Sequence, residues 1–225
     1  MTEPAIDSSR GPYRRPVESA AAAGVVYAVL AVIALSIVQS VPGPSSTEAV
    51  WNAWIAESSN RAGLFAALSL SSISAVAFLW FVAVVRRRIG DQEDRFFATV
   101  FLGSALVYVA LWLVAMSIVA APATIHTGDS TMGRDVFGLA QGTGISILLV
   151  AGPRIQAVFV ASTSTLFLRT RVVPAWLSYV GYAIALAMFV TPIVATPMGI
   201  GLPAFVLLSS STIFFSRRRI EQVGA

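Results

Sequence analysis

Residues 96–120 read FFATVFLGSALVYVALWLVAMSIVA, a run with no Asp, Glu, Lys, Arg or His in it. A helix crossing about 30 Å of hydrocarbon needs roughly 20 apolar residues, so this run is long enough for one passage. Barrel strands would alternate in polarity and be about half as long, and the residues do neither. In lipid the backbone must satisfy its own hydrogen bonds, which makes the run a helix.

Comparable runs lie on both sides of it. Upstream are 19–41 and 62–85; downstream are 146–168 (within a longer run, 136–168), 174–194 and 197–216, the last short and containing Pro203. The expected fold is therefore all-α: a polytopic membrane bundle of six transmembrane helices over 19–216. A tail over 1–18, with Pro4, Gly11, Pro12 and Pro16, is expected to be disordered, and 217–225 forms a second short tail. The first run is 23 residues long. A signal peptide has an apolar region of about 7–15. Val38-Gln39-Ser40 is a poor cleavage site, so the run reads as a retained helix.

Composition agrees. The chain has 225 residues, 56% of them hydrophobic and 12% charged, with a mean hydropathy of +0.79. Soluble domains are about 25% charged. A soluble enzyme, a nucleic-acid module and a disordered chain are excluded on this ground. There is no Cys, which removes disulfides, thiolate metal sites and thiol catalysis.

Orientation follows from arginine. All 15 basic residues are Arg. Six spans with both termini cytoplasmic put Arg10, Arg14, Arg15, Arg86, Arg87, Arg88, Arg95, Arg169, Arg171, Arg217, Arg218 and Arg219 inside, against Arg61 and Arg134 outside. These clusters read as topology signals that contact anionic lipid.

The inner loops, 86–95 and 169–173, are short and make antiparallel neighbours of the helices they join. Asp91, Glu93 and Asp94 belong to a solvated inner loop, with docking of a cytoplasmic partner as the alternative. In the outer loop 42–60, Ser45-x-x-Glu48 matches a capping box. Val50, Trp51, Trp54 and Ile55 then recur at helical spacing. They predict a short amphipathic helix on the outer interface with both Trp at headgroup level. The loop 122–135 is expected to be irregular and carries the only histidine, His126, three residues before Asp129. A metal site would need more ligands, so none is expected.

The fourth run carries the candidate polar site. Gly152-Pro153 lies inside it, and a kink is expected there because proline lacks an amide donor and clashes with the Leu149 carbonyl. Arg154 follows, roughly 22 Å from the inner boundary at 1.5 Å per residue. A charge at that depth costs a few kcal/mol on insertion scales, so it needs an acceptor. The Leu149 carbonyl, Gln141, Gln156, Asp129 and Asp135 are the candidates. Arg154, Gln156, Ser162 and Thr163 form the candidate intramembrane site, with Gly152 and Pro153 as its kink. The functional reading is that Arg154 lines a polar cavity and binds an anion or lipid phosphate. The structural reading is that it snorkels outward or locks the kink. Ser69, Ser71, Ser72 and Ser74, and Ser162 through Thr165, read first as helix-packing residues. So do Ala20-x-x-x-Gly24-x-x-x-Ala28 and Gly138-x-x-x-Gly142.

The stretch Glu93-Asp94-Arg95-Phe96-Phe97-Ala98-Thr99-Val100-Phe101-Leu102-Gly103-Ser104 resembles a family of uncharacterised six-span membrane proteins of actinobacteria. Ala157-Val158-Phe159-Val160-Ala161-Ser162-Thr163-Ser164-Thr165, Leu168-Arg169-Thr170 and Pro174-Ala175-Trp176-Leu177 resemble it too. The likeness covers about residues 60 to 195. It implies a bacterial plasma-membrane location and carries over no functional residue.

The sequence shows no zinc-protease, serine-elbow or phosphate-loop motif and no paired intramembrane carboxylate. The expectation is a structural or accessory membrane component that is not an enzyme and uses no cofactor or metal. The alternatives are a small-solute or anion/lipid transporter built on the kinked fourth span with Arg154, and a membrane enzyme acting on lipid. Membrane lipids are the expected partners, together with a membrane protein or a second copy of the chain; nucleic acid is not.

Overall fold

The computed structural model describes the backbone of residues 16–89, 95–126, 133–171, 173–190 and 200–223, and side chains within 22–87, 96–126, 135–171, 173–190 and 200–212. Among them every regular element is a helix. In chain order these are α1 (Pro16–Gln39), α2 (Glu48–Ala56), α3 (Ser58–Ile89), α4 (Arg95–Ile125), α5 (Arg134–Ser146), a π-helical turn (Ile147–Ala151), α6 (Gly152–Thr170), α7 (Ala175–Val190) and α8 (Gly201–Val223). Four stretches are long and apolar enough to cross a membrane: Ala22–Gln39, Ser58–Arg87, Phe96–Ile125 and Asp135–Thr170. Ala175–Val190 and Gly201–Thr212 are shorter apolar helices.

The bundle is built from neighbours. α1 packs on α3 and α8, α3 on α4, α4 on α5 and α6, and α6 on α7 and α8. Its centre is an aromatic stack. Tyr27, Tyr108 and Phe159 pack around Phe78 at centroid distances of 4.8, 5.3 and 5.1 Å, and Phe101 stacks on Phe159 at 5.1 Å. The buried Tyr27 and Tyr108 hydroxyls bond each other at 2.9 Å. That satisfies two groups that would otherwise be stranded among apolar rings.

Small residues set how closely the helices approach. A Cβ on Gly24 of α1 would overlap Ser210 Oγ of α8 and come within 3.0 Å of Phe81. A Cβ on Gly181 of α7 would overlap Ser164 Oγ and come within 2.7 Å of Phe205. Gly24 and Ala28 are thus part of a packed face, as their spacing predicts. Gly142 is not, since a Cβ there meets nothing within 4 Å, and a Cβ on Gly138 would touch only the Pro44 carbonyl oxygen, at 3.8 Å; both glycines line an open groove. The reason is register. Gly144, two residues on, is the one that faces α4, against Val119 and the Ala115 carbonyl.

The hydroxyls act as packing groups. Ser162, Thr163, Ser164 and Thr165 each donate to a carbonyl one turn back on α6, and Thr165 also meets the Tyr182 hydroxyl at 2.7 Å. Ser69 and Ser72 do the same on α3, while Ser74 reaches across to the Tyr27 carbonyl at 3.2 Å. A helix whose hydroxyls bond its own backbone presents an almost apolar surface to its neighbours.

One end of the bundle carries a separate hydrophobic cap. Trp51 and Ile55 of α2 are fully buried with Leu64, Val119, Ala120 and Phe137, and Trp51 stacks on Phe137 at 4.7 Å. The expected headgroup position for Trp51 is therefore corrected: the ring is inside the protein, because α2 lies against α3 and α5. The expected capping box is corrected as well. Thr47 is the N-cap of α2 and makes no side-chain cap bond, and Glu48 sits in the first turn. The C-terminus of α2 is closed from α3: Asn60 Nδ2 donates to the Trp54 carbonyl and Arg61 Nη1 to those of Ile55 and Ala56.

The opposite end gathers arginine. Arg169, near the end of α6, lies over the Phe97 ring at the start of α4 at 4.6 Å, and Arg86 and Arg87 stand exposed near the end of α3. Arg171 caps α6 in a left-handed conformation (φ 51°), its amide donating to the Phe167 carbonyl.

Several boundaries differ from the expectations. α1 begins at Pro16, inside the segment read as tail, since Pro is tolerated in a first helical turn. α4 runs through Pro122 to Ile125, so the loop read as irregular is helical at its start. The fourth run is helical from Arg134 to Thr170 rather than only over 146–168, and the last helix, Gly201–Val223, runs past the expected end at 216. The expectations for 1–15, for Asp91, Glu93 and Asp94, for Asp129 and for the link before residue 200 fall outside the described residues.

Candidate functional site

The site grows from Pro153. In a regular α-helix its ring would strike the Leu149 carbonyl, and no amide would be available to bond that oxygen. The chain answers with a wider turn rather than a break. Residues Ile147–Ala151 are π-helical, and the Gly152 amide donates to the Ile147 carbonyl. Glycine eases the turn at 152, because a Cβ there would stand a tight 3.0 Å from that same carbonyl. Single π-turns are rare and recur at functional sites. The turn shifts the register between α5 and α6, and side chains on either side of it face one cavity.

That cavity has a volume of about 190 Å³. Gln141 of α5, Gln156 of α6 and Trp112 of α4 lie in its wall, and all three are buried, at 1%, 3% and 4% exposure. Leu35 and Val38 of α1 and Leu148 and Leu149 of the π-turn supply apolar wall. The exposed Gln39 and Ile200 stand where α1 ends and α8 begins, and form the rim. Among the described residues, none that lines the cavity carries a charge.

Three polar atoms in this wall have no hydrogen-bond partner among the described residues: Trp112 Nε1, Gln141 Nε2 and Gln156 Oε1. Two are donors and one is an acceptor. Buried polar groups are nearly always paired, and each unpaired one costs about 1–3 kcal/mol. Three on one wall are a concentrated departure from that rule.

Of the four expected site residues, only Gln156 lines this cavity. Arg154 is half-buried, and its Nη1 bonds the Val150 carbonyl one turn back rather than the Leu149 carbonyl. Its side chain follows the usual helical direction toward the α6 N-terminus. Ser162 and Thr163 are buried lower on α6 and bonded to their own helix. Gly152 and Pro153 are joined to a π-turn where a kink was expected. Sequence reasoning missed Trp112 and Gln39 as wall residues and read Gln141 only as a partner for Arg154. The available signal was two glutamines, Gln141 and Gln156, on either side of Gly152-Pro153 in the fourth run.

Comparison with known protein families, with characterised proteins and with solved structures finds no match to this chain.

Proposed function

We propose that this chain is a six-span integral protein of a bacterial plasma membrane, with both termini cytoplasmic, acting as a non-catalytic accessory component through contacts with lipid and with a membrane-protein partner. One observation carries the membrane part of this reading. The apolar helices expose large apolar side chains along their outward faces, among them Val29, Ile73, Val76, Leu106, Leu186 and Phe189, at 48–65% exposure. Serines such as Ser71, Ser74, Ser178 and Ser209 are buried between helices instead. Water would penalise that arrangement, whereas hydrocarbon favours it.

The four long apolar helices supply four spans, and the six-span reading adds α7 and α8. Both pack against α6, so they belong to the same bundle. The arginine end of α3 and α6 then faces the cytoplasm and the α2 cap faces out. Counting 20 residues (about 30 Å) from Arg169 toward the outer side reaches Leu149. The π-turn and its cavity therefore sit at the outer headgroup level, and Arg154 points toward that level. This favours the structural reading of Arg154 over an anion path through it.

The accessory role is tested by placing a photo-crosslinking amino acid at Ile73 and at Leu186 in native membranes. The expected result is one reproducible protein adduct from at least one site. Lipid adducts alone at both sites contradict a partner.

A further inference from the structure

We propose that the cavity beside the π-turn is a binding site for a small uncharged molecule that carries a hydroxyl on an apolar body. The inference goes beyond the accessory reading and does not depend on topology, since binding is measured on solubilised protein.

The wall chemistry defines the class. Trp112 Nε1 and Gln141 Nε2 offer hydrogens, Gln156 Oε1 offers a lone pair, and none of the three has a partner among the described residues. A hydroxyl both accepts and donates, so it matches a wall that holds donors and an acceptor. No charged side chain among the described residues lines the cavity, so an ion would be left uncompensated in a largely apolar wall. Volume sets the size. A cavity near 150 Å³ takes a benzene, so one of about 190 Å³ holds roughly eight heavy atoms. The rim at Gln39 and Ile200 lies at the bundle surface and gives the entry. Three unpaired polar atoms on residues of one cavity wall are costly as packing alone, because leucine at either glutamine would fill the wall without stranding a polar atom.

The test is a fluorine NMR titration of the full chain in maltoside micelles with 4-fluorophenol, fluorobenzene and 4-fluorobenzoate, with protein-free micelles as the partition blank. The hydroxylated probe is expected to bind about tenfold more tightly than the other two, the factor associated with one well-made hydrogen bond. Gln156→Leu should lower 4-fluorophenol affinity about tenfold and leave fluorobenzene unchanged, while Gly142→Ala, on the open groove, alters neither. Equal affinities for the phenol and fluorobenzene, tightest binding of the benzoate, or an unaltered phenol affinity in Gln156→Leu each overturn the proposal. Thermal unfolding guards against misfolding. Gln156→Leu should melt at or above the parent temperature, and a clear drop shows that the amide is a structural element satisfied by water, which also overturns it. Displacement by 1-hexanol but not by a diacylglycerol assigns a free small molecule, displacement by both assigns a lipid hydroxyl, and displacement by neither overturns the class.

Discussion

Gly24→Ala tests the packing of α1 against α8 in a way that separates geometry from propensity. Alanine in place of glycine inside a helix is worth about 1 kcal/mol in favour of the folded state. Here the new methyl would overlap Ser210 Oγ and stand 3.0 Å from Phe81 Cδ2 and 3.1 Å from Val206 Cγ1. Overpacking of a well-filled core costs about 1–3 kcal/mol, so the net expectation is a loss of up to about 2 kcal/mol. Phe81 and Val206 are both fully buried and have little room to yield. The Ser210 hydroxyl is buried and has no partner among the described residues, so Ser210→Ala alone should be neutral or slightly stabilising. In the double variant the largest overlap is gone, and the protein should recover about 1 kcal/mol or more of the loss. The assay is equilibrium unfolding in mixed micelles, followed by helical circular dichroism, for the parent, both single variants and the double variant. Contacting residues show coupling of about 0.5–3 kcal/mol, whereas distant ones add within about 0.5 kcal/mol. Additive effects, or a stabilising Gly24→Ala on its own, would refute the close approach of α1 and α8.

Four further outcomes use the same unfolding assay. Trp51→Ala should cost about 3–5 kcal/mol, because the ring is fully buried against Phe137 in the cap; a loss below about 1 kcal/mol contradicts its burial. Tyr27→Phe strands the Tyr108 hydroxyl and should cost about 1–3 kcal/mol, whereas the Tyr27→Phe/Tyr108→Phe pair should be nearer neutral. Gly142→Ala, with nothing within 4 Å of its new methyl, should be neutral or stabilise by up to about 1 kcal/mol; destabilisation would show that this face is packed. Arg154→Leu should lower stability by about 1 kcal/mol at most, since the lost bond to the Val150 carbonyl is half-exposed and easier burial offsets it. A larger loss means that the guanidinium holds the turn together.

The helices were legible because lipid imposes one rule, length without charge, and residues such as 96–120 obey it without ambiguity. Helix ends were less legible. α4 continues through Pro122 and α1 starts at Pro16, because proline near a terminus breaks few bonds and leaves the count of apolar residues unchanged. Trp51 was misplaced for a physical reason: a Trp at helical spacing beside a span reads alike whether it faces headgroups or another helix, and only the return of α5 with Phe137 decides it. The cavity shows the same limit. Pro153 announced a disturbance, but whether a helix kinks or widens into a π-turn depends on the small room at Gly152 and on the neighbours. Arg154 drew attention because an intramembrane charge is costly, yet it settles on its own backbone. The neutral glutamines Gln141 and Gln156, much cheaper in lipid, are the side chains that line one cavity with Trp112.

The membrane-spanning arrangement is tested most directly by single-cysteine labelling, which the absence of native cysteine makes clean. Cysteines at position 8, at position 43 in the α1–α2 link and at position 225 are probed in intact cells with a membrane-impermeant maleimide, before and after permeabilisation. Reaction at Gly43→Cys in intact cells, with Ser8→Cys and Ala225→Cys reacting only after permeabilisation, is the predicted result. Labelling of either terminus in intact cells, or protection of position 43, would contradict six spans with both ends in the cytoplasm.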